Sequence, residues 1–315
     1  MHIIQSAETM QQKIKKILIT GSSGTIGTRL FERLLSKGYQ VVGFDKKNNI
    51  WHAGLDKKTI VGNLLNKKDI QKIPKDIDLI IHLAANARVY DLVVAPDLAL
   101  ENVISTHHIL EFARENNIKK IIFSSSRETY GNKKDMVSKE TDVDILRCAS
   151  PYAASKIADE ALIYSYEKCY GIDYVVCRFS NVYGRYDTSD RFIPILFRMM
   201  KKNADIKIFG KNKVLDFTYI DDCVAGVIAC VEKFPKVKNN VFNIASGKGT
   251  SLVDVAKLMK KYLNSESKIL LGKNRPGEVV GYVANISKAK KRLGYAPTVG
   301  IVEGIKKSMA WYSEN

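Results

Sequence analysis

Long hydrophobic runs are missing from this chain of 315 residues. No stretch approaches the ~18 consecutive apolar residues that a membrane-spanning helix needs, so no membrane partner is expected. The opening Met1 to Lys16 has no basic segment leading into an apolar one, which argues against a signal peptide, and residues 1–14 read as a polar extension. Cysteine is scarce, and Cys148, Cys169, Cys177, Cys223 and Cys230 show no CxxC and no metal-ligand spacing. That excludes a zinc module; Cys177 and Cys230, inside apolar runs, read as small core residues. The cytoplasm is the expected compartment, and neither an internal repeat nor a low-complexity segment is present. Acidic residues are also short, 33 against 50 basic ones, for a net charge of +17. A nucleic-acid surface would gather the cations into one stripe with interleaved aromatics. Here they are scattered doublets such as Lys57–Lys58, Lys67–Lys68 and Lys201–Lys202. Solvation and attraction of anionic small molecules are expected instead, and no nucleic-acid partner.

What is present begins with a short apolar run, Lys16 to Thr20, followed at once by Gly21-Ser-Ser-Gly24-Thr-Ile-Gly27. Leu30, Phe31, Leu34 and Leu35 then recur with the period of a helix. Strand, glycine turn and helix in this order open a dinucleotide-binding fold, where backbone N–H groups approach a pyrophosphate at the helix N-terminus. A second strand, Tyr39–Phe44, ends in Asp45, 18 residues beyond Gly27 and near the spacing at which an acid takes the ribose hydroxyls of NAD. Lys46 and Lys47 leave a 2′-phosphate, and so NADP, open. Further strands are expected at 59–61, 77–82 and 121–123, with a helix over 98–116. This alternation predicts a doubly wound parallel sheet with functional residues at the carboxyl ends of its strands. His82, at one such end, reads as a structural hydrogen-bonding histidine.

Tyr152 and Lys156 stand four residues apart in Pro151-Tyr-Ala-Ala-Ser-Lys156, on an amphipathic pattern predicted to be helical over 152–170. Residues at i and i+4 share a helix face. A cation held near a phenol favours the phenolate, and lowering its pKa by about 3 units takes about 4 kcal/mol. The pair is a tunable proton acceptor suited to an alcohol.

GxxGxxG, the strand-end Asp45, His82-Leu-Ala-Ala85, Ser124-Ser-Ser-Arg-Glu-Thr-Tyr-Gly131, PYAASK and Arg178-Phe-Ser-Asn-Val-Tyr-Gly-Arg185 occur in one order. Together they resemble the extended short-chain dehydrogenase/reductases, and within them the NAD-dependent nucleotide-sugar epimerase/dehydratase family, most closely the UDP-hexose 4-epimerases. The likeness runs from about Lys15 to Tyr312. It implies an NAD-binding Rossmann domain over 15–180 and 212–245, with 212–245 returning to the sheet. A smaller α+β substrate lobe is implied over 181–211 and 246–315. Tyr152 would take the proton of the sugar hydroxyl, Lys156 would hold the nicotinamide ribose and lower the tyrosine pKa, and Ser126 would bond the same hydroxyl. NAD contacts are implied from Gly21, Ser23, Gly24, Thr25, Ile26, Gly27, Asp45, Asn63, Leu64, Leu83, Ala84, Ala85, Ser124 and Phe179. Substrate contacts are implied from Arg127, Glu128, Asn181 and Arg275, and no metal site is implied.

The implied activity is 4-epimerisation of a UDP-hexose or related nucleotide sugar through a transient 4-keto sugar. A 4-dehydrogenase, dehydratase, decarboxylase or reductase would use the same Ser-Tyr-Lys site, and an NAD(H)-binding regulator is the reading from another class. Three departures bear on this. Leu215 stands where relatives carry an arginine for the nucleotide phosphate, with Lys211 or Lys213 as replacements and a GDP sugar as an alternative. Arg127 occupies the place of the dehydratase acid. Asn63 and Asn285 replace aspartates. The helices near 98–116 and 152–170 resemble a homodimer interface, and Val103, Ile109, Leu110, Leu162 and Ile163 face either a partner or the chain's own core.

Overall fold

The computed structural model describes residues 14–275 and 277–315. The extension expected over 1–14 lies, but for Ile14, outside the described residues. Strands β1 (Lys16–Thr20), β2 (Gln40–Asp45), β3 (Thr59–Val61), β4 (Leu79–His82) and β5 (Lys120–Ser126) follow the expected alternation. With β7 (Asp173–Phe179) and β11 (Asn240–Ile244) they form a seven-stranded parallel sheet in the order β11-β7-β5-β4-β1-β2-β3. The doubly wound α/β class expected from the alternation is present. Side-chain alternation explains the two layers. Ile17 and Ile19 pack on one face with Leu30, Phe31 and Leu34, while Leu18 between them packs on the other with Ile109, Leu110 and Ile163.

The strand order reverses between β1 and β4, which places the glycine turn after β1 beside the Leu83–Ala85 turn after β4. Only glycine fits the first turn position. Gly21 has φ +72°, and a Cβ there would lie 2.8 Å from the Ala84 nitrogen. A Cβ on Gly27 would run into the Gly21 carbonyl, so helix and strand pack closely only with glycine at that point.

A second sheet joins β6 (Val137–Ser138), β8 (Asn181–Tyr183), β10 (Val214–Tyr219), β12 (Gly249–Ser251) and β14 (Gly281–Ala284). Strands β9 (Ile206–Phe209) and β13 (Ile269–Gly272) pair separately. This corrects the expectation that 212–245 returns to the main sheet. Only helix Ile220–Glu232 and β11 do so, while β10 pairs with β8, β12 and β14. Strand β5 is also longer than the expected 121–123 and takes in Ser124, Ser125 and Ser126. Their hydroxyls are tolerated in a buried strand because they find partners. Ser124 donates to the His82 carbonyl at 3.0 Å and Ser125 to Glu160 at 2.5 Å.

Candidate active site

Helix Pro151–Tyr170 presents the tyrosine–lysine pair, and its own sequence sets where it starts. Ser150 caps it by accepting the Ala153 N–H at 3.2 Å, Pro151 takes the first helical position, and Gly171 ends it at φ +63°. Tyr152 therefore sits in the first turn, buried in the wall of a cleft of about 990 Å³. Gly21, Ser23, Gly24, Thr25, Ile26, Gly27, Asp45 and Leu64 line that cleft. So do Leu83, Ala84, Ala85, Ser124, Ser126, Tyr152, Lys156 and Phe179, together with Arg127, Glu128, Asn181 and Arg275. Asn63 is the exception. Its N–H donates to Asp69 at 3.0 Å and its side-chain oxygen accepts the Leu65 N–H at 3.0 Å, so it shapes the turn while its neighbours Gly62 and Leu64 border the cleft.

Ser126 shares the cleft wall with Tyr152 and favours its phenolate, and the serine oxygen accepts the Glu128 N–H at 3.2 Å. Lys156 is buried, donates to the Ser124 carbonyl at 3.0 Å, stands 3.7 Å from the Asp159 carboxylate and lies 4.6 Å over the Phe123 ring. The expected depression of the tyrosine pKa is absent from this site. Burial pushes Tyr152 up to about 12, against the Ser126 hydroxyl and the positive Arg191, while Glu128 and Asp159 add to the rise. The physical reason is the direction of the lysine, which is turned to a carbonyl and a carboxylate. Burial lowers the pKa of Lys156, with Asp159 opposing. His82 is neutral, with Nδ1 2.6 Å from Thr20 Oγ1 and Nε2 3.2 Å from Thr106 Oγ1, and burial lowers its pKa to about 3. It is structural, as its position before the small residues indicates.

The glycine end fits a dinucleotide. A Cβ on Gly24 would meet nothing of the protein closer than the Gly21 oxygen at 3.4 Å, so the room it leaves opens into the cleft. The buried Ser23 hydroxyl has no protein partner. Asp45 accepts the Ser23 N–H at 2.9 Å and the Lys47 N–H at 3.0 Å, which fixes its carboxylate on the cleft wall.

Further along, Arg127 pairs with Glu128 at 2.7 Å, yet Arg127 Nη1 and Glu128 Oε2 are buried without partners. Burial raises the Glu128 pKa, with Arg127 opposing. Asn181 donates to the Asp216 carbonyl at 3.1 Å. The Arg275 guanidinium lies 4.0 Å from the Phe209 ring centroid and 5.1 Å from that of Tyr90. Lys213, 2.6 Å from Glu278, shares the cleft wall with Leu215, whereas Lys211 is exposed outside it.

Two features escape the motifs. Arg191, at the start of helix Phe192–Lys201, lines the cleft and forms no ion pair among the described residues, and nothing in its sequence context marks it. A buried pair, Arg178 with Glu160 at 2.6 Å, ties helix Pro151–Tyr170 to β7, and Glu160 reaches Ser125 of β5. Arg178 opens the Arg178-Phe-Ser-Asn181 motif, but nothing in the sequence points to Glu160 as its partner.

A model of the NAD dependent epimerase/dehydratase family matches residues 17–245. The chain belongs to that family. It is 34% identical to a putative UDP-glucose 4-epimerase of Methanocaldococcus jannaschii, over 95% of this chain and 99% of that one. It is 30% identical to a UDP-glucuronate 4-epimerase of Thermodesulfobacterium geofontis, over 95% and 96% of the two chains. The crystal structure of UDP-glucuronic acid 4-epimerase from Bacillus cereus, in complex with UDP-glucuronic acid and NAD, superposes with a TM-score of 0.87. Identity to it is 30%, with 95% of this chain and 99% of that one covered. The family member described here is thus an NAD-dependent enzyme of the epimerase/dehydratase type.

Proposed function

We propose that this family member is a UDP-sugar 4-epimerase. The reading is carried by one observation: Ser126, Tyr152 and Lys156 line one cleft with the glycine turn, the lysine buried one helical turn behind the tyrosine. Bound NAD⁺ would accept the C4 hydrogen with its electron pair and later return it. Tyr152 takes the proton of the C4 hydroxyl and gives it back, and Ser126 holds the oxygen in line. A phenol at about 12 stays protonated at neutral pH, so proton uptake waits for positive charge to enter the site. Asn181, Arg275 and Lys213 supply the polar and cationic wall for the diphosphate, which offsets Leu215. A dehydratase is disfavoured because Arg127, tied to Glu128, stands where a dehydratase carries its acid.

Arg191 and the unpartnered Nη1 of Arg127 favour a second reading of the sugar, a hexuronic acid whose carboxylate they would receive. A homodimer fits helix Asp97–Glu115. Ile109, Leu110 and Ile163 are consumed by the chain's own core, while Leu100 and Ile104 on the outer face are exposed.

Proton NMR of UDP-glucose and UDP-glucuronate incubated with the protein tests both readings. A second anomeric doublet without lasting reduced-nicotinamide absorbance is expected, and Tyr152→Phe slows its appearance by about 10²–10⁴-fold. Turnover of a GDP sugar alone, or variant activity within tenfold of the parent, would refute the assignment.

A further inference from the structure

Tyr186 adopts a backbone conformation that a tyrosine rarely takes, φ +69°, and is held there from three sides. Its carbonyl accepts the Thr25 hydroxyl at 3.2 Å, at the first residue of the helix that follows the glycine turn. Its phenol donates to Glu32 on that helix at 2.8 Å and lies 3.0 Å from His52 Nε2. His52 closes the triangle on the same Glu32 oxygen at 2.7 Å. The ring packs against two tryptophans in a triangle. Trp51, in the loop after β2, has its centroid at 5.7 Å, and Trp311, on helix Ile301–Glu314, at 5.5 Å, while the two indoles touch edge-on at 5.0 Å. Thus one residue fastens the β8-following segment to the glycine-turn helix, the ribose-side loop and the C-terminal helix.

The rest of that segment is fastened too. Tyr312 donates to the Gly184 carbonyl at 3.2 Å, and Arg198 donates to the Thr188 and Ser189 carbonyls, each at 3.1 Å. Asp190 pairs with Arg198 at 2.6 Å and with Arg88 across the cleft at 3.8 Å. Tyr186, Asp187, Thr188, Ser189, Asp190 and Arg191 all line the cleft that holds the glycine turn and Asp45. None of Trp51, His52, Tyr186 and Trp311 belongs to a dinucleotide-binding motif.

We propose that residues 184–191 form a strap across the cofactor part of the cleft, and that Tyr186 is its pin, a positioning residue that keeps NAD in the protein between turnovers. The inference rests on the epimerase reading. An epimerase has no net redox change, so cofactor that leaves in the reduced form strands the enzyme with a keto sugar. A Tyr186 phenol engaged with Glu32 and His52 makes opening of the strap cost two half-buried polar contacts and the packing of the ring on two indoles together, which slows escape.

The test needs no sugar. The full-length protein is loaded with NADH, chased with excess NAD⁺, and the release followed by nicotinamide fluorescence, alongside the NAD content of the protein as purified. Tyr186→Phe keeps the ring and removes only the hydroxyl, and Trp311→Ala removes one of its two indole neighbours. Thermal melting checks that both variants fold. Release at least tenfold faster in both, with reduced copurified NAD, is the expected result. Release within twofold of the parent in both variants, or a parent that gives up NADH within a single second, would overturn the strap. Slow, Tyr186-dependent release from a protein that epimerises no UDP sugar would keep the strap and sink the epimerase reading instead.

Discussion

At Tyr152 burial and the Ser126 hydroxyl pull in opposite directions, and burial wins. The same contest runs more simply at His82, which has no acid to pair with and two hydroxyl partners. Its ordinary pKa of 6.5 falls to about 3 in the fold. Below about pH 6.5 the unfolded chain takes up a proton there that the folded chain refuses until about pH 3. Stability is therefore lost as the pH is lowered across that window, by about 1.4 kcal/mol for each unit from this residue. His82→Asn keeps a polar group near Thr20 but cannot titrate. Urea unfolding at a series of pH values should show a flatter acid slope for the variant. An unchanged slope would mean that His82 is charged in the fold.

Among the elements, helix Pro151–Tyr170 and strand β5 must keep a fixed spacing, because one carries Tyr152 and the other Ser126. Glu160 sets that spacing by reaching Arg178 on β7 and Ser125 on β5 at once. Arg178→Met leaves the Glu160 charge buried alone and should cost about 3–5 kcal/mol, read by urea unfolding. Joining it to Glu160→Gln should recover most of the loss, and a double variant no better than the single one would contradict the pairing. This network also marks where sequence reading stops. Gly21 to Gly27, Tyr152 and Lys156 are legible because each depends on neighbours a few residues away, whose spacing fixes a turn or a helix face, while Asp45 rests on its 18-residue distance from Gly27 and Ser126 on the family resemblance. Glu160 with Arg178, Arg191 facing Tyr152, and Tyr186 with Trp311 depend on segments that meet only after the sheet closes. Asn63 fails for the opposite reason, since an Asx-type turn claims a side chain that its position suggested for the cofactor. Strand β10 misled because an apolar run carries no mark of the sheet it will join.

For the whole molecule, the parallel sheet supplies strand ends and the second sheet supplies the opposite wall, so the cleft draws on both. The net charge of +17 falls into place on that scale. Several cations stand on the cleft wall, among them Lys46, Lys47, Arg88, Arg191, Lys213 and Arg275, where a nucleotide sugar and a dinucleotide both bring phosphates. No helix among the described residues is long and apolar enough to cross a membrane. The proposed reaction, in which hydrogen leaves C4 of the sugar and returns to the same carbon, would unite these features. A UDP sugar carrying deuterium at C4, turned over in ordinary water and examined by NMR and mass spectrometry, measures this directly. Retention of the deuterium at C4 of the epimerised product is the expected result. A product carrying protium at C4, or a keto sugar that accumulates with no epimer, would contradict it.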